Sequence, residues 1–368
     1  VVKTAQGDAW ELGVAVRVKN HSFRFPTWYS DQLSHEAAAA GNTARVDNAA
    51  DEAQAIKDGD YLILGPNSSG VTEVAVVSSI DDRTAAQCTI TFTAALSNTF
   101  AIDDYVTGVV SNVAGAWGVG TTTAQPGGLI AVRGKDDRFC QKLTFDGAAE
   151  EMKQLLDDDE FVVSTKYRVG CHYKQSANDF YLRVYDGNSN FINKTCGDVT
   201  DAWVSVTDTG TCHSAVDGSY IQFLYKGAST FYVDSIFLEH DSGIGTAGYY
   251  TFTERSDLGS LSWERRRTTK TQELLDSTLR EFSSIGLEDQ VQKYVLNAHF
   301  SNVGQTFWNN MMIFKEWQMR NRLLCLHPNI DDLPPVLVGY MKIVEDKRVT
   351  KDFWNMAYRS FDFQFIEA

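Results

Sequence analysis

Residues 231–239 read FYVDSIFLE. Aromatic and branched apolar residues crowd a short segment broken by a single acid, Asp234, which reads as a buried strand rather than a helix. The segment closes a series of similar runs: CQKLTF, FVVSTKYRVGCHY, DFYLRVYDG, AWVSVTDT and SYIQFLYKG, all between residues 140 and 227. Turn residues divide them at Asp186-Gly187-Asn188, Asp208-Thr209-Gly210 and Asp217-Gly218. Short strands at this spacing predict an all-β sandwich over residues 135–243.

The order of these strands resembles the jelly-roll carbohydrate-binding modules. FYVDSIFLE matches the aromatic, apolar, Asp, apolar, Leu string of that family's last strand. In the family the Asp of that strand often helps to hold a structural calcium, and Asp234 stands at the matching position. Asp146, Glu150 and Glu151 are its partners only by that analogy. The alternative is a carboxylate hydrogen-bonded to backbone in a neighbouring loop. Glycan binding, which the resemblance also implies, needs exposed aromatic platforms for sugar faces. The candidates are Tyr173, Tyr181, Tyr185, Trp203 and Tyr225. Trp203 opens a strand, where a Trp more often belongs to a core.

The last third differs in kind. Residues 244–368 carry 15 basic and 16 acidic groups, net −1, against net −6 for residues 1–134 and net −8 for residues 135–243. A strand is expected at 286–302. A helix is expected over 304–320, where Phe307, Met311, Phe314 and Met319 recur at helical spacing and Trp308 and Met312 widen the stripe. Strands follow at LLCLHP, PPVLVGYMKIVED and DFWNMAYRSFDFQFIEA. The stretches Tyr294–Phe300, Phe307–Trp317, Leu333–Gly339 and Arg359–Glu367 together resemble the core of bacteriophage tail-tube-like and distal-tail proteins. That resemblance implies a β-sandwich or barrel with one flanking helix, built to form rings and carrying no catalytic residue. Phe307, Trp308 and Phe314 are then assembly candidates, as is the basic cluster Arg265, Arg266 and Arg267, read as a subunit contact in preference to a contact with nucleic acid passing through a tube, or else as a solvated loop.

In the first third, Val14, Val16 and Val18 alternate with Ala15, Arg17 and Lys19 and predict a strand, expected to pair with the late strands. Residues 34–56 are Ala-rich and read as part helix or as surface loop. YLILG, VTEVAVVSSI, CTITFTAAL and DDYVTGVV are short strands between turns, predicting a small barrel or meander that resembles a β module of phage tail proteins. The domain scheme is thus a tail-tube-like core, 1–50 and 244–368, interrupted by a small β module, 51–134, and the jelly roll, 135–243. Gly127-Gly128 and Gly243-Ile244-Gly245 are the expected joints.

The chain has 368 residues and a formal charge of 33 − 48 = −15. That balance argues against wrapping duplex nucleic acid or reading its sequence. No apolar run reaches membrane-spanning length. The start shows no signal-peptide pattern and no initiator Met. The six Cys form no C-x-x-C pair; a disulfide among Cys171, Cys196 and Cys212 stands beside buried free thiols as a reading. No nucleophile elbow, zincin, P-loop or dinucleotide motif is present, the seven His show no helical metal spacing, and no enzyme activity is expected. The expected function is a virion component of a phage tail that assembles with copies of itself and with other tail proteins. Its jelly roll would meet a host-surface glycan. The alternatives are a secreted or surface carbohydrate-binding protein and a glycosidase accessory subunit.

Overall fold

The strand Ser229–His240 organises the molecule. Phe231 and Val233 point into the sandwich, and so do Ile236 and Leu238. Strict alternation would turn the second pair outward. A register shift against the neighbouring strand between Gly170 and His172, with Ser235 at φ 51°, inserts one residue and resets the phase. Phe237 and Glu239 then face away from the sandwich core.

The computed structural model describes residues 10–128 other than 20, 22, 24, 26, 49–51, 70, 82–85 and 110; residues 139–241 other than 158–159, 176–177, 198 and 200–202; and residues 249–252, 262–267, 270–273, 279–282, 292–319, 323–327, 337–345 and 358–367. The fold is mainly β, with one α-helix among the described residues. The middle of the chain forms two five-stranded antiparallel sheets face to face. One runs Val204–Thr211, Lys166–Gln175, Ser229–His240, Phe139–Phe145, Thr123–Gly128. The other runs Asn190–Cys196, Phe180–Tyr185, Tyr220–Tyr225, Glu151–Leu155, Gly118–Val119. Between them Phe180 and Phe231 stack with centroids 4.0 Å apart, and Phe145 meets Phe231 edge-on at 4.9 Å. This is a jelly-roll-like sandwich with an aromatic core.

Its borders differ from those expected. Gly127 and Gly128 are no joint: they end a strand paired with Phe139–Phe145. Gly127 is required there because a Cβ would lie 2.5 Å from the Tyr232 ring. Val16, Val18, Phe23 and Phe25 are also buried in the sandwich core, so the N-terminal segment seals the module from outside residues 135–243. Gly243-Ile244-Gly245 lies outside the described residues.

The small β module is a six-stranded sheet, and it begins earlier than residue 51. Thr27–Gln32 and Thr43–Val46 form its edges. The Ala-rich stretch therefore supplies a strand, burying alternate Ala44 and Val46 against Leu62, Leu64 and Ile90, followed by a short 3-10 turn at Glu52–Ala55.

The remaining sheet has seven strands, in the order Tyr249–Thr251, Glu11–Val14, Leu324–His327, Leu337–Glu345, Tyr358–Glu367, Gln292–Gly304, Ser262–Arg267. An early strand, Glu11–Val14, joins the late strands in it, as expected for Val14 and its neighbours. The helix Gln305–Met319 covers one face, with Phe307, Trp308, Met311 and Phe314 buried against Phe300, Phe361 and Phe363. At the end of the first strand the chain changes sheet within one residue. Ala15 N donates to Leu323 O of the C-terminal sheet, and Val16 N donates to Leu238 O of the sandwich. All six Cys are buried free thiols, which settles the disulfide alternative. No helix among the described residues is long and apolar enough to cross a membrane.

Candidate functional site

On the strand Phe180–Tyr185 the pleat sends Phe180, Leu182 and Val184 inward and Tyr181, Arg183 and Tyr185 outward. Register then builds three rows across the outer face of this sheet. Tyr181 lies opposite Thr195 and Leu224, and Leu224 opposite Glu151. Asn193, Arg183, Gln222 and Lys153 form the middle row. Tyr185, Tyr220 and Leu155 form the third.

Tyr185 and Tyr220 stack at 4.7 Å with planes 19° apart, and the Lys153 ammonium sits 5.7 Å from the Tyr220 ring. Leu155 is 65% exposed beside them. The Arg183 guanidinium lies 4.5 Å over Tyr181 and donates from Nε to Asn193 Oδ1 at 2.7 Å. Gln222 Nε2 donates to Glu151, whose other oxygen pairs with Lys153 Nζ at 2.6 Å. That bond to Glu151 pushes the Lys153 pKa up. Burial, then the neighbouring Tyr185 and Glu151, push the Tyr220 hydroxyl up. The face thus sets ring surfaces beside amide, guanidinium, ammonium and carboxylate groups, with the Lys153 ammonium compensated by Glu151. Such a surface offers apolar rings to sugar C–H faces and donors and acceptors to hydroxyls.

Of the five aromatic candidates, Tyr181 and Tyr185 stand on this face. Tyr173 does not: its ring packs edge-on to Phe180 inside the sandwich and its hydroxyl donates to Gly197 O at 3.0 Å. Burial pushes that hydroxyl up to about 12. Tyr225 faces inward too, packed against the core near Phe145. Trp203 is half-buried at the start of the edge strand of the other sheet. Tyr220 is the ring that sequence reasoning missed. Its signal was the alternation Tyr220, Gln222, Leu224, unusable until the pairing with Tyr185 is known.

Asp234 is buried between the strands that carry Cys140 and His172. Asp146 lies beyond Phe145, six strand residues from Cys140, roughly 20 Å away. Glu150 closes its own turn by accepting from Asp146 N and Gly147 N. The acids named by analogy therefore do not gather at Asp234. Phe307, Trp308 and Phe314 are inside the chain's own core and support the sheet from within, rather than presenting rings to a second copy. Arg265, Arg266 and Arg267 lie on the edge strand of the seven-stranded sheet, opposite Tyr294, Lys293 and Gln292.

A second polar surface occupies the helix-free face of that sheet. Asn297, His299, Lys342, Asp362 and Gln364 line a shallow depression of about 310 Å³. His299 Nδ1 lies 2.7 Å from Asp362 Oδ1, and Gln364 Nε2 donates to Asn297 Oδ1 at 2.7 Å.

No family model matches the sequence, and no curated protein matches it. Solved structures similar to part of the chain include the C-terminal family 22 carbohydrate-binding module of Clostridium thermocellum Xyn10B, 18% identical, covering 36% of this chain and 88% of that one, with a TM-score of 0.29. A family 16 carbohydrate-binding module is 18% identical over 33% of this chain and 89% of its own, TM-score 0.26. The enzymatically active domain of bacteriophage CBA120 tailspike protein 4 is 14% identical over 34% of this chain and 19% of its own, TM-score 0.27. At TM-scores this low the likenesses carry no functional weight, and the chain's own geometry has to supply it.

Proposed function

We propose that the sandwich binds a neutral glycan on the outer face that carries Tyr181, Arg183, Tyr185, Tyr220 and Gln222. The observation that carries this reading is the Tyr185–Tyr220 ring pair set against a row of hydrogen-bonding side chains. Rings and amides in adjacent rows suit a ligand that alternates C–H faces with hydroxyls. The chain is a binding protein in this reading, without catalysis of its own. Affinity electrophoresis through gels cast with neutral polysaccharides tests it. Retardation of the full chain, reduced in Tyr220→Ala, is the expected result; equal mobility of both on every polysaccharide would overturn it.

The finer reading is that this glycan-binding module is carried on a phage tail, where the seven-stranded sheet assembles with copies of itself or with other tail proteins and the glycan belongs to the host surface. What favours it over a free secreted binding protein is the pairing of the early strand Glu11–Val14 with Leu324–His327 in one helix-backed sheet, with the other modules inserted between them. Electron microscopy of the concentrated protein tests this: rings or stacked rings support it, and a uniform monomer at high concentration removes it.

A further inference from the structure

The sandwich and the seven-stranded sheet meet at a cluster that the glycan reading does not use. The bulge at Ser235 aims Glu239 out of the sandwich, where its carboxylate is fully buried. On the strand Leu324–His327, Leu324 and Leu326 enter the helix-side core, so Cys325 and His327 project from the opposite face. One donor atom from each of Glu239, Cys325 and His327 lies within 4.8 Å of the other two. His327 Nε2 is 3.2 Å from Glu239 Oε2.

We propose that Glu239, Cys325 and His327 form a zinc site that fastens the sandwich to the C-terminal sheet. Sulfur, imidazole nitrogen and carboxylate oxygen are the donor set of tetrahedral zinc, with a fourth position for a solvent oxygen. The two Glu239 oxygens have separate tasks. Oε1 receives Arg168 Nε at 2.6 Å, while Oε2 faces His327. Arg168 also reaches Glu11 Oε2 at 3.0 Å, so the carboxylate is held from behind, as outer-shell partners hold metal ligands. Gly13 makes room: a Cβ there would lie 2.2 Å from Glu239 Oε2. The charges close as well. A divalent ion and Arg168 balance a Cys325 thiolate, Glu239 and Glu11. Zinc would replace the thiol proton, which leaves to solvent, and no electron is transferred.

Elemental analysis of the full chain, after exposure to zinc and gel filtration, should find metal equimolar with protein. Cobalt loaded in its place should show a thiolate-to-cobalt charge-transfer band and tetrahedral ligand-field bands that zinc abolishes. Cys325→Ser should lose the charge-transfer band, whereas Cys88→Ala, in the separate six-stranded module, should keep it. Arg168→Ala, removing a positioning residue, should weaken zinc affinity roughly 10–100-fold. Substoichiometric metal in the wild-type chain, or a cobalt spectrum with no thiolate band, would overturn the proposal without any appeal to a variant. So would a band that survives Cys325→Ser.

Discussion

Tyr185 and Tyr220 lie directly opposite each other on adjacent strands and stack at 4.7 Å. Each ring holds the other upright, so the pair presents a preformed apolar surface instead of two mobile side chains. Preorganisation of this kind lowers the ordering cost of binding. Tyr220→Ala should weaken binding of a retarding polysaccharide by about 1–2 kcal/mol, roughly 5–30-fold, and Tyr185→Ala by a similar amount. The double variant should lose less than the sum, since either single change already frees the partner ring. Isothermal titration with a soluble fragment of that polysaccharide measures all three. Strict additivity would show that the rings act independently.

Asp186 anchors the turn between Phe180–Tyr185 and Asn190–Cys196 of the same sheet. One oxygen accepts from Asn188 N and Ser189 N, the other from His213 N and Ser214 N, at 2.7–3.1 Å. Burial alone would raise its pKa, but the four backbone donors together hold it below the usual carboxylate range. A depressed folded pKa stabilises the fold above the unfolded value, about 3.9, and that stability is lost as pH falls through the folded value. Asp186→Asn puts an amide NH₂ against two N–H donors and should cost about 2–4 kcal/mol at neutral pH. The gap from wild type should narrow below about pH 4. Urea unfolding at pH 7 and pH 3 checks both; a gap independent of pH would mean the carboxylate charge is irrelevant.

Much of this was legible in the chain. Phe231 and Val233 announced a sandwich strand, and the spacing of Phe307, Met311 and Phe314 announced the helix, because burial on one face leaves a periodic trace. The borders were not legible. Gly127 and Gly128 read as a joint because glycine marks both flexible linkers and places where a ring comes close, and only the position of Tyr232 separates the two. Thr43–Val46 was hidden because a four-residue edge strand with Ala and Val inward looks like any Ala-rich stretch. The glycan face was half visible: alternation ranks Tyr181 and Tyr185 together, but which strand lies beside them is a long-range fact. Cys325 and His327 have the two-residue spacing that puts both on one strand face, yet their third companion, Glu239, is 88 residues from His327.

Phe314 has no exposed surface and packs the helix onto the sheet, in one core with Phe300, Phe307 and Phe361. Removing the ring leaves a cavity among aromatic side chains that cannot collapse freely. Phe314→Ala should cost about 3–5 kcal/mol. Chemical unfolding monitored by tryptophan fluorescence reads it, since Trp10 and Trp308 belong to the same core. The sandwich should be spared, so polysaccharide retardation is expected to persist at temperatures where the C-terminal sheet has melted. Loss of both together would mean that the two units unfold as one.

Arg168 links the two units directly. Its guanidinium spans the junction, bonding Glu239 of the sandwich at 2.5 Å and Glu11 of the C-terminal sheet at 3.0 Å. Burial would weaken its charge, but the two carboxylates hold the Arg168 pKa above its ordinary value. Glu239 is in turn kept below the usual carboxylate range, because His327 and Arg168 outweigh its own burial. Arg168→Met keeps the side chain's length and deletes its charge, leaving Glu239 buried without its arginine partner. The expected cost is about 3–5 kcal/mol, the range for breaking a buried pair from one side. In the metal-free chain, replacing both members, Arg168→Met with Glu239→Gln, removes the uncompensated charge and should recover part of that loss. Differential scanning calorimetry compares the variants: the single change should move the melting of the two units further apart, and the double change should bring them closer. If Arg168→Met melts like wild type, the ion pair is not what joins the units, and the apolar contacts of Phe237, Ala15 and Val338 around it must hold the junction.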